Sequence, residues 1–156
     1  MSLLKQTKFL LRKHRILSRK HFGQNFLVDS SIFQLMAACA SLNQSDVVLD
    51  IGAGLGFFTR FLARECRSVL AVESDARLTK LLNEQLNDLP NVEIIKGDVL
   101  SVQIPRFSKI VSIPPYQISS SLLTWLFDKE FDCAVLILQR EFADRLVASV
   151  GSDGYS

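Results

Sequence analysis

Val47-Val48-Leu49-Asp50-Ile51-Gly52-Ala53-Gly54-Leu55-Gly56 is the stretch that decides the fold. Its apolar run, broken by the single acid Asp50, reads as a strand buried on both faces. The three alternate glycines read as a tight turn that delivers the chain into a helix over about 57–66. Strand, glycine turn and helix make the first half of a βαβ unit.

The same alternation continues on the carboxyl side. Ser68–Glu73 reads as a second strand, about 76–87 as a helix striped by Leu78, Leu81, Leu82 and Leu86, and Val92–Lys96 as a third strand. Lys109–Ser112 reads as a fourth strand, about 119–128 as a helix, Cys133–Gln139 as a fifth strand and 140–149 as a last helix. On the amino side, Asp29 is a good cap for a helix over about 30–41. Strands alternating with helices predict an α/β fold of Rossmann-like type with a mostly parallel sheet and right-handed crossovers. The run Gly151-Ser152-Asp153-Gly154-Tyr155-Ser156 reads as the opening of a loop, so the fold is expected to be truncated after the fifth strand and its helix.

With 156 residues and 48% apolar content, the chain can build one core. Charge is unevenly spread. Residues 1–28 hold Lys5, Lys8, Arg12, Lys13, Arg15, Arg19 and Lys20 and no acid, which leaves eleven cations against sixteen acids in residues 29–156. The division is a basic arm over 1–28 and a domain over 29–156. Such an arm is attracted to polyphosphate; a solvated tail or an Arg-rich presequence has the same composition. Cys39, Cys66 and Cys133 form no metal-ligand or disulfide pattern and are expected to be buried free thiols. No metal site is expected. The longest apolar run, about Ala134–Leu138, has the length of a buried strand and falls far short of a membrane span. A cytoplasmic protein is the expectation.

The acids at the strand ends choose the ligand. A dinucleotide turn is spelled GxGxxG, because backbone must approach a pyrophosphate. Here the spelling is GxGxG, with Asp50 two residues before Gly52. A carboxylate there repels phosphate and suits an ammonium. Glu73, ending the second strand, can accept from a ribose diol. Asp98, after Gly97 at the end of the third, can accept from an adenine amino group. S-adenosylmethionine (SAM) carries an ammonium, a ribose diol, an adenine and no phosphate.

The fourth strand ends in Val111-Ser112-Ile113-Pro114-Pro115-Tyr116-Gln117-Ile118-Ser119-Ser120. Two prolines stiffen the chain and remove N–H donors. Carbonyls and an aromatic ring are left to face the ligand. An exocyclic adenine amine is a poor nucleophile, because its lone pair is conjugated with the ring. Acceptors that hold its hydrogens favour the pyramidal nitrogen, and an aromatic face holds the base.

These motifs resemble those of the ribosomal RNA adenine dimethyltransferase family, over nearly the whole chain from about Ser18. The most specific piece is His21-Phe22-Gly23-Gln24-Asn25-Phe26-Leu27-Val28-Asp29, followed by Asp50–Gly56, Ala71-Val72-Glu73-Ser74-Asp75, Gly97-Asp98-Val99 and Val111–Ser120. The stretch Gln139-Arg140-Glu141-Phe142-Ala143-Asp144-Arg145-Leu146 matches as well. The resemblance implies cofactor contacts from Gln24, Asn25, Leu27, Asp50, Gly52, Gly54, Glu73, Ser74, Asp98, Val99 and Ser112. It implies target-base positions at Ile113, Pro114 and Tyr116. It also implies SAM as methyl donor and small-subunit rRNA, in the pre-ribosomal small subunit, as partner, with the protein acting as a monomer. The expected activity is N6-dimethylation of adenines near the 3′ end of that RNA.

One departure stands inside the target motif. The family writes Asn-Leu/Ile-Pro-Tyr where this chain has Ile113-Pro114-Pro115-Tyr116, so the side-chain acceptor for the amine is replaced by an alkyl group. Two other readings stay open on the sequence: a macrolide-resistance methyltransferase acting on large-subunit rRNA, and a non-catalytic RNA-binding assembly factor that keeps SAM binding.

Overall fold

A computed structural model of the chain describes residues 2–16, 29–148 and 150–151. Five strands, β1 (Val47–Ile51), β2 (Ser68–Glu73), β3 (Val92–Lys96), β4 (Lys109–Ser112) and β5 (Cys133–Leu136), form one parallel sheet in the order β3-β2-β1-β4-β5. The helices are α1 (Leu3–Lys13), α2 (Ser30–Cys39), α3 (Phe57–Glu65), α4 (Ala76–Gln85), α5 (Ser119–Leu126) and α6 (Arg140–Val147).

Side chains alternate across a strand, so each strand serves both layers. Val48, Val69 and Val111 meet Phe33 and Met36 of α2 and Phe58 and Leu62 of α3 on one face. Leu49, Ile51, Leu70, Val72 and Ile110 meet Val99, Phe107 and Leu122 and Leu126 of α5 on the other. Asp29 caps α2 as expected, accepting from Ser31 N at 2.9 Å. At the amino ends of the strands, buried Lys109 is paired with Asp46 at 2.9 Å, so its charge is matched.

The order of strands reverses between β1 and β4. β1 pairs with β2 at five positions, from Val47↔Ser68 to Ile51↔Val72, but with β4 only at Val48↔Lys109 and Leu49↔Ile110. The two strands therefore part towards their carboxyl ends. The Ser112 hydroxyl bridges the widening gap: it accepts from Ile51 N at 2.8 Å and donates to Ile51 O at 2.7 Å. Such a parting is the crevice in which open α/β sheets bind ligands.

Part of the basic arm, for which the sequence reading assigned no element, is a helix: Leu3–Lys13 is α1, with Ser2 at its cap and Thr7 and Leu10 buried. Two expectations are corrected. The cysteines are not uniformly buried. Cys39 ends α2 exposed and Cys133 is half-buried, while burial pushes the Cys66 thiol up to about 11. The fifth strand, expected over 133–139, stops at Leu136; among the described residues it pairs with β4 alone, and it is half-buried at Cys133, Val135 and Leu136 and exposed at Ala134.

Candidate functional site

The glycine loop needs glycine for backbone reasons. Gly52, Gly54 and Gly56 take φ of 74°, 60° and 83°, the left-handed region that a Cβ disfavours. At Gly52 there is a second reason: a Cβ there would lie 2.7 Å from Pro115 Cδ. The loop on β1 and the proline turn after β4 are thus in direct contact.

Asp50 sits below the loop and is almost wholly buried. Its side chain points to the α3 face, where Thr59 Oγ1 donates to Oδ2 at 2.6 Å. Burial pushes its carboxyl up to about 7. The Thr59 and Ser112 hydroxyls pull it down, and the charge of Glu73 pushes it further up. Glu73 is buried as well, and burial raises its carboxyl despite the amides of Asp75 and Gly54. Its two oxygens are fastened to backbone: Oε2 accepts from Gly54 N at 2.9 Å and Oε1 from Asp75 N at 2.8 Å. Each carboxylate oxygen has a second lone pair for a ligand hydroxyl. Ser74 beside it is exposed.

β3 brings the third acid to the same end of the sheet. Gly97 N donates to Glu73 O at 2.9 Å, which ties the two strand ends together. Asp98 is exposed, its Oδ1 accepting from Leu100 N at 3.0 Å. Val99 is buried in the core beneath.

After β4, Ile113 packs against the apolar cluster of α2 and α3, and Pro114 is buried. Tyr116 is half-buried and opens a single 3-10 turn, Tyr116–Ile118, that leads into α5; Ser119 Oγ donates to Tyr116 O at 2.9 Å. Gln24, Asn25 and Leu27 lie outside the described residues.

The structure thus gathers Asp50, Gly52, Gly54, Glu73, Pro115 and the start of the Tyr116 turn around the β1–β4 parting, with Asp98 joined through Gly97. Ser112, expected as a cofactor contact, bonds through its hydroxyl to Ile51 N and O across the gap. Thr59 is a residue that sequence reading missed. Its only local signal is a hydroxyl amid the apolar residues of α3, and the fold is needed to aim it at Asp50.

The chemistry of this donor set fits SAM. Among the described residues, no Lys or Arg shifts either of the two buried carboxyls beside the loop. A pyrophosphate would be repelled there. A ligand that brings a cation and hydroxyl donors satisfies both.

The fold is that of the Rossmann-like methyltransferases. The solved dimethyladenosine transferase of Plasmodium falciparum superposes with a TM-score of 0.77 at 32% identity, over 85% of this chain and 50% of that one. The 23S rRNA methyltransferase ErmE superposes at 0.72 and 35% identity, over 78% and 50%. The family model for ribosomal RNA adenine dimethylase matches residues 15–156, and the chain belongs to that family. A probable ribosomal RNA small subunit methyltransferase A from Methanopyrus kandleri is 41% identical over 149 residues, which are 95% of this chain and 54% of the relative. The chain thus spans about half the length of the curated relatives it matches. Among the described residues, no helix is long and apolar enough to cross a membrane.

Proposed function

We propose that this chain binds SAM at the carboxyl ends of β1, β2 and β3 and methylates N6 of adenine in small-subunit rRNA. The proposed product is dimethyladenosine near the 3′ end, formed during small-subunit assembly by a cytoplasmic, monomeric protein. The observation that carries the reading is the Gly52–Pro115 contact, which joins a carboxylate-flanked nucleotide loop to a proline turn that ends in an aromatic ring.

Asp50 receives the amino-acid ammonium, Glu73 the ribose hydroxyls and Asp98 the adenine amino group. A charge-assisted hydrogen bond of this kind contributes about 1.5–3 kcal/mol. Gln24, Asn25 and Leu27 complete the cofactor pocket from the amino side. Bound SAM supplies an electrophilic methyl group on a sulfonium. The chain prepares the nucleophile. Pro114 and Pro115 have no N–H, so the carbonyls of Ile113 and Pro114 accept the amine hydrogens without a competing donor. Tyr116 stacks on the extruded base and offsets part of the few kcal/mol that unstacking costs. No strong general base is required, because the methylated nitrogen loses its proton to water readily.

A second reading has a specific observation behind it. Ile113 offers no side-chain acceptor and is packed on the apolar cluster, which favours an RNA-binding assembly factor that holds SAM without turnover. Single-turnover transfer of labelled methyl from SAM decides between the two. Transfer to adenine N6 is expected; SAM binding without transfer to any RNA overturns the enzymatic reading. Small-subunit particles are the expected substrate, and preference for naked large-subunit RNA would move the chain to the macrolide-resistance branch.

A further inference from the structure

We propose that α1 is a phosphate-tracking helix, whose Lys5–Lys8–Arg12 ridge holds a strand of RNA beside the glycine loop. The identity of the polymer rests on the RNA-methyltransferase reading above; the contact itself rests on the geometry of α1.

α1 has two faces with different work. Thr7 and Leu10 are buried, and Leu10 and Ile16 pack on Leu55, Leu78 and Leu81. His14 stands 4.0 Å from Glu84, next to α4. Leu55 lies between Gly54 and Gly56, so the helix is anchored on the nucleotide loop itself. At about 100° per residue, Lys5, Lys8 and Arg12 fall within about 60° of one another, on the side opposite Leu10. All three are exposed. The ridge is about 10 Å long, enough to meet two or three successive phosphates of one strand.

α1 contains no acid, and among the described residues Lys5, Lys8 and Arg12 form no ion pair. Phe9 is exposed beside them with Lys13 over its ring at 6.0 Å, an aromatic surface on which an unpaired base can stack. The rest of the chain is net acidic, so a polyanion drawn to the protein is steered to this edge.

A basic amphipathic helix also suits an anionic membrane, but there its apolar face must enter the lipid. In α1 that face is already packed on Leu55, Leu78 and Leu81. What α1 leaves exposed is the charged side with Phe9 and Leu4 at its margin, which suits a phosphate backbone and its bases better than the lipid interior.

The test is the salt dependence of binding to a short polyuridylate strand, which has phosphates and no target adenine. The triple variant Lys5→Gln, Lys8→Gln, Arg12→Gln is expected to flatten the log–log slope by about two units, at about 0.7 per phosphate on a single strand. A matched variant, Arg67→Gln, Arg106→Gln, Lys129→Gln, removes the same charge near the amino ends of the strands and is expected to leave the slope nearly unchanged. Circular dichroism and SAM calorimetry verify that both variants fold. An unchanged slope in the α1 variant overturns the proposal. So does equal flattening in both variants, which would mean net charge alone. Binding to phosphatidylserine vesicles that is lost with the α1 charges, with RNA binding intact, overturns it in favour of a membrane. Flattened RNA binding in a protein that transfers no methyl leaves the α1 contact standing and removes the enzymatic reading.

Discussion

The ring of Pro115 fills the space that a side chain at Gly52 would need, with Cδ 2.7 Å from the position of the missing Cβ. Sixty-odd residues separate the two in sequence. Their contact couples the shape of the cofactor loop to the turn that presents Tyr116. Gly52→Ala carries two costs, the left-handed backbone at about 1–2 kcal/mol and the overlap with the ring at about 1–3 kcal/mol. Urea unfolding is expected to show a loss of about 2–5 kcal/mol. Adding Pro115→Ala should return the overlap component and leave the backbone cost. Strictly additive losses in the double variant would mean that the two residues do not touch.

Asp50 makes stability and ligand binding respond to pH in opposite directions. Its carboxyl rises from 3.8 in the unfolded reference to about 7 when folded, chiefly through burial. A raised pKa means the folded state holds the proton more tightly. That stabilisation is complete below about pH 4 and is lost as pH rises through about 7. The ligand-free protein should therefore lose stability across this window, by an amount on the order of a few kcal/mol. SAM, which brings an ammonium to the ionised form, should bind more tightly as pH rises to about 7, with release of a proton. Asp50→Asn should flatten both profiles. Calorimetry in buffers of different ionisation heat measures the proton, and SAM affinity independent of pH in the unsubstituted protein would refute this role.

Thr59 is fully buried and donates to Asp50 Oδ2 at 2.6 Å. It acts through Asp50 as a positioning residue. Thr59→Val keeps the shape and removes the donor, leaving a buried acceptor unmatched at a cost of about 1–3 kcal/mol. It should also move the midpoint of the SAM pH profile upward, because one of the bonds that favours the carboxylate is gone. Thr59→Ser should restore the midpoint. A stability loss with an unmoved midpoint would make Thr59 a packing residue only.

At the target turn, Tyr116→Ala should lower single-turnover methyl transfer strongly while SAM affinity changes little. Ile113→Asn should raise the rate, or shift product from monomethyl to dimethyl adenine, by adding an amide acceptor. Its carboxamide enters the edge of the Phe33–Phe58 cluster, so a stability loss of about 1–3 kcal/mol accompanies the gain. Rates are compared well below the melting point. If Ile113→Asn leaves both rate and product unchanged, the amine is held by backbone alone.

The sequence by itself determined the elements and their polarity. β1 through β4, α3 and α4 fall close to where periodicity and capping put them, because a strand, its glycine turn and the next helix are written in adjacent residues. The positions of Asp50, Glu73 and Asp98 were legible for the same reason: Asp50 is the last but one residue of β1, Glu73 closes β2 and Asp98 follows β3 by two residues. Residues 24, 25 and 27 were named from a motif and lie outside the described residues. α1 was not legible. Its basic composition looks like a solvated arm, and only Leu55, Leu78 and Leu81 supply the apolar surface that offsets the ordering cost of a helix there.

Tertiary structure decided everything that depends on residues meeting across the sheet. The order β3-β2-β1-β4-β5 parts β1 from β4, places the Ser112 hydroxyl as a bridge to Ile51, and drives Pro115 against Gly52. The charge state of Asp50 was decided in the same way. A carboxylate in sequence has its ordinary pKa; burial under α3 beside Glu73 is what raises it. Local patterns specify where a side chain begins, but desolvation and contact depend on which distant surfaces close over it.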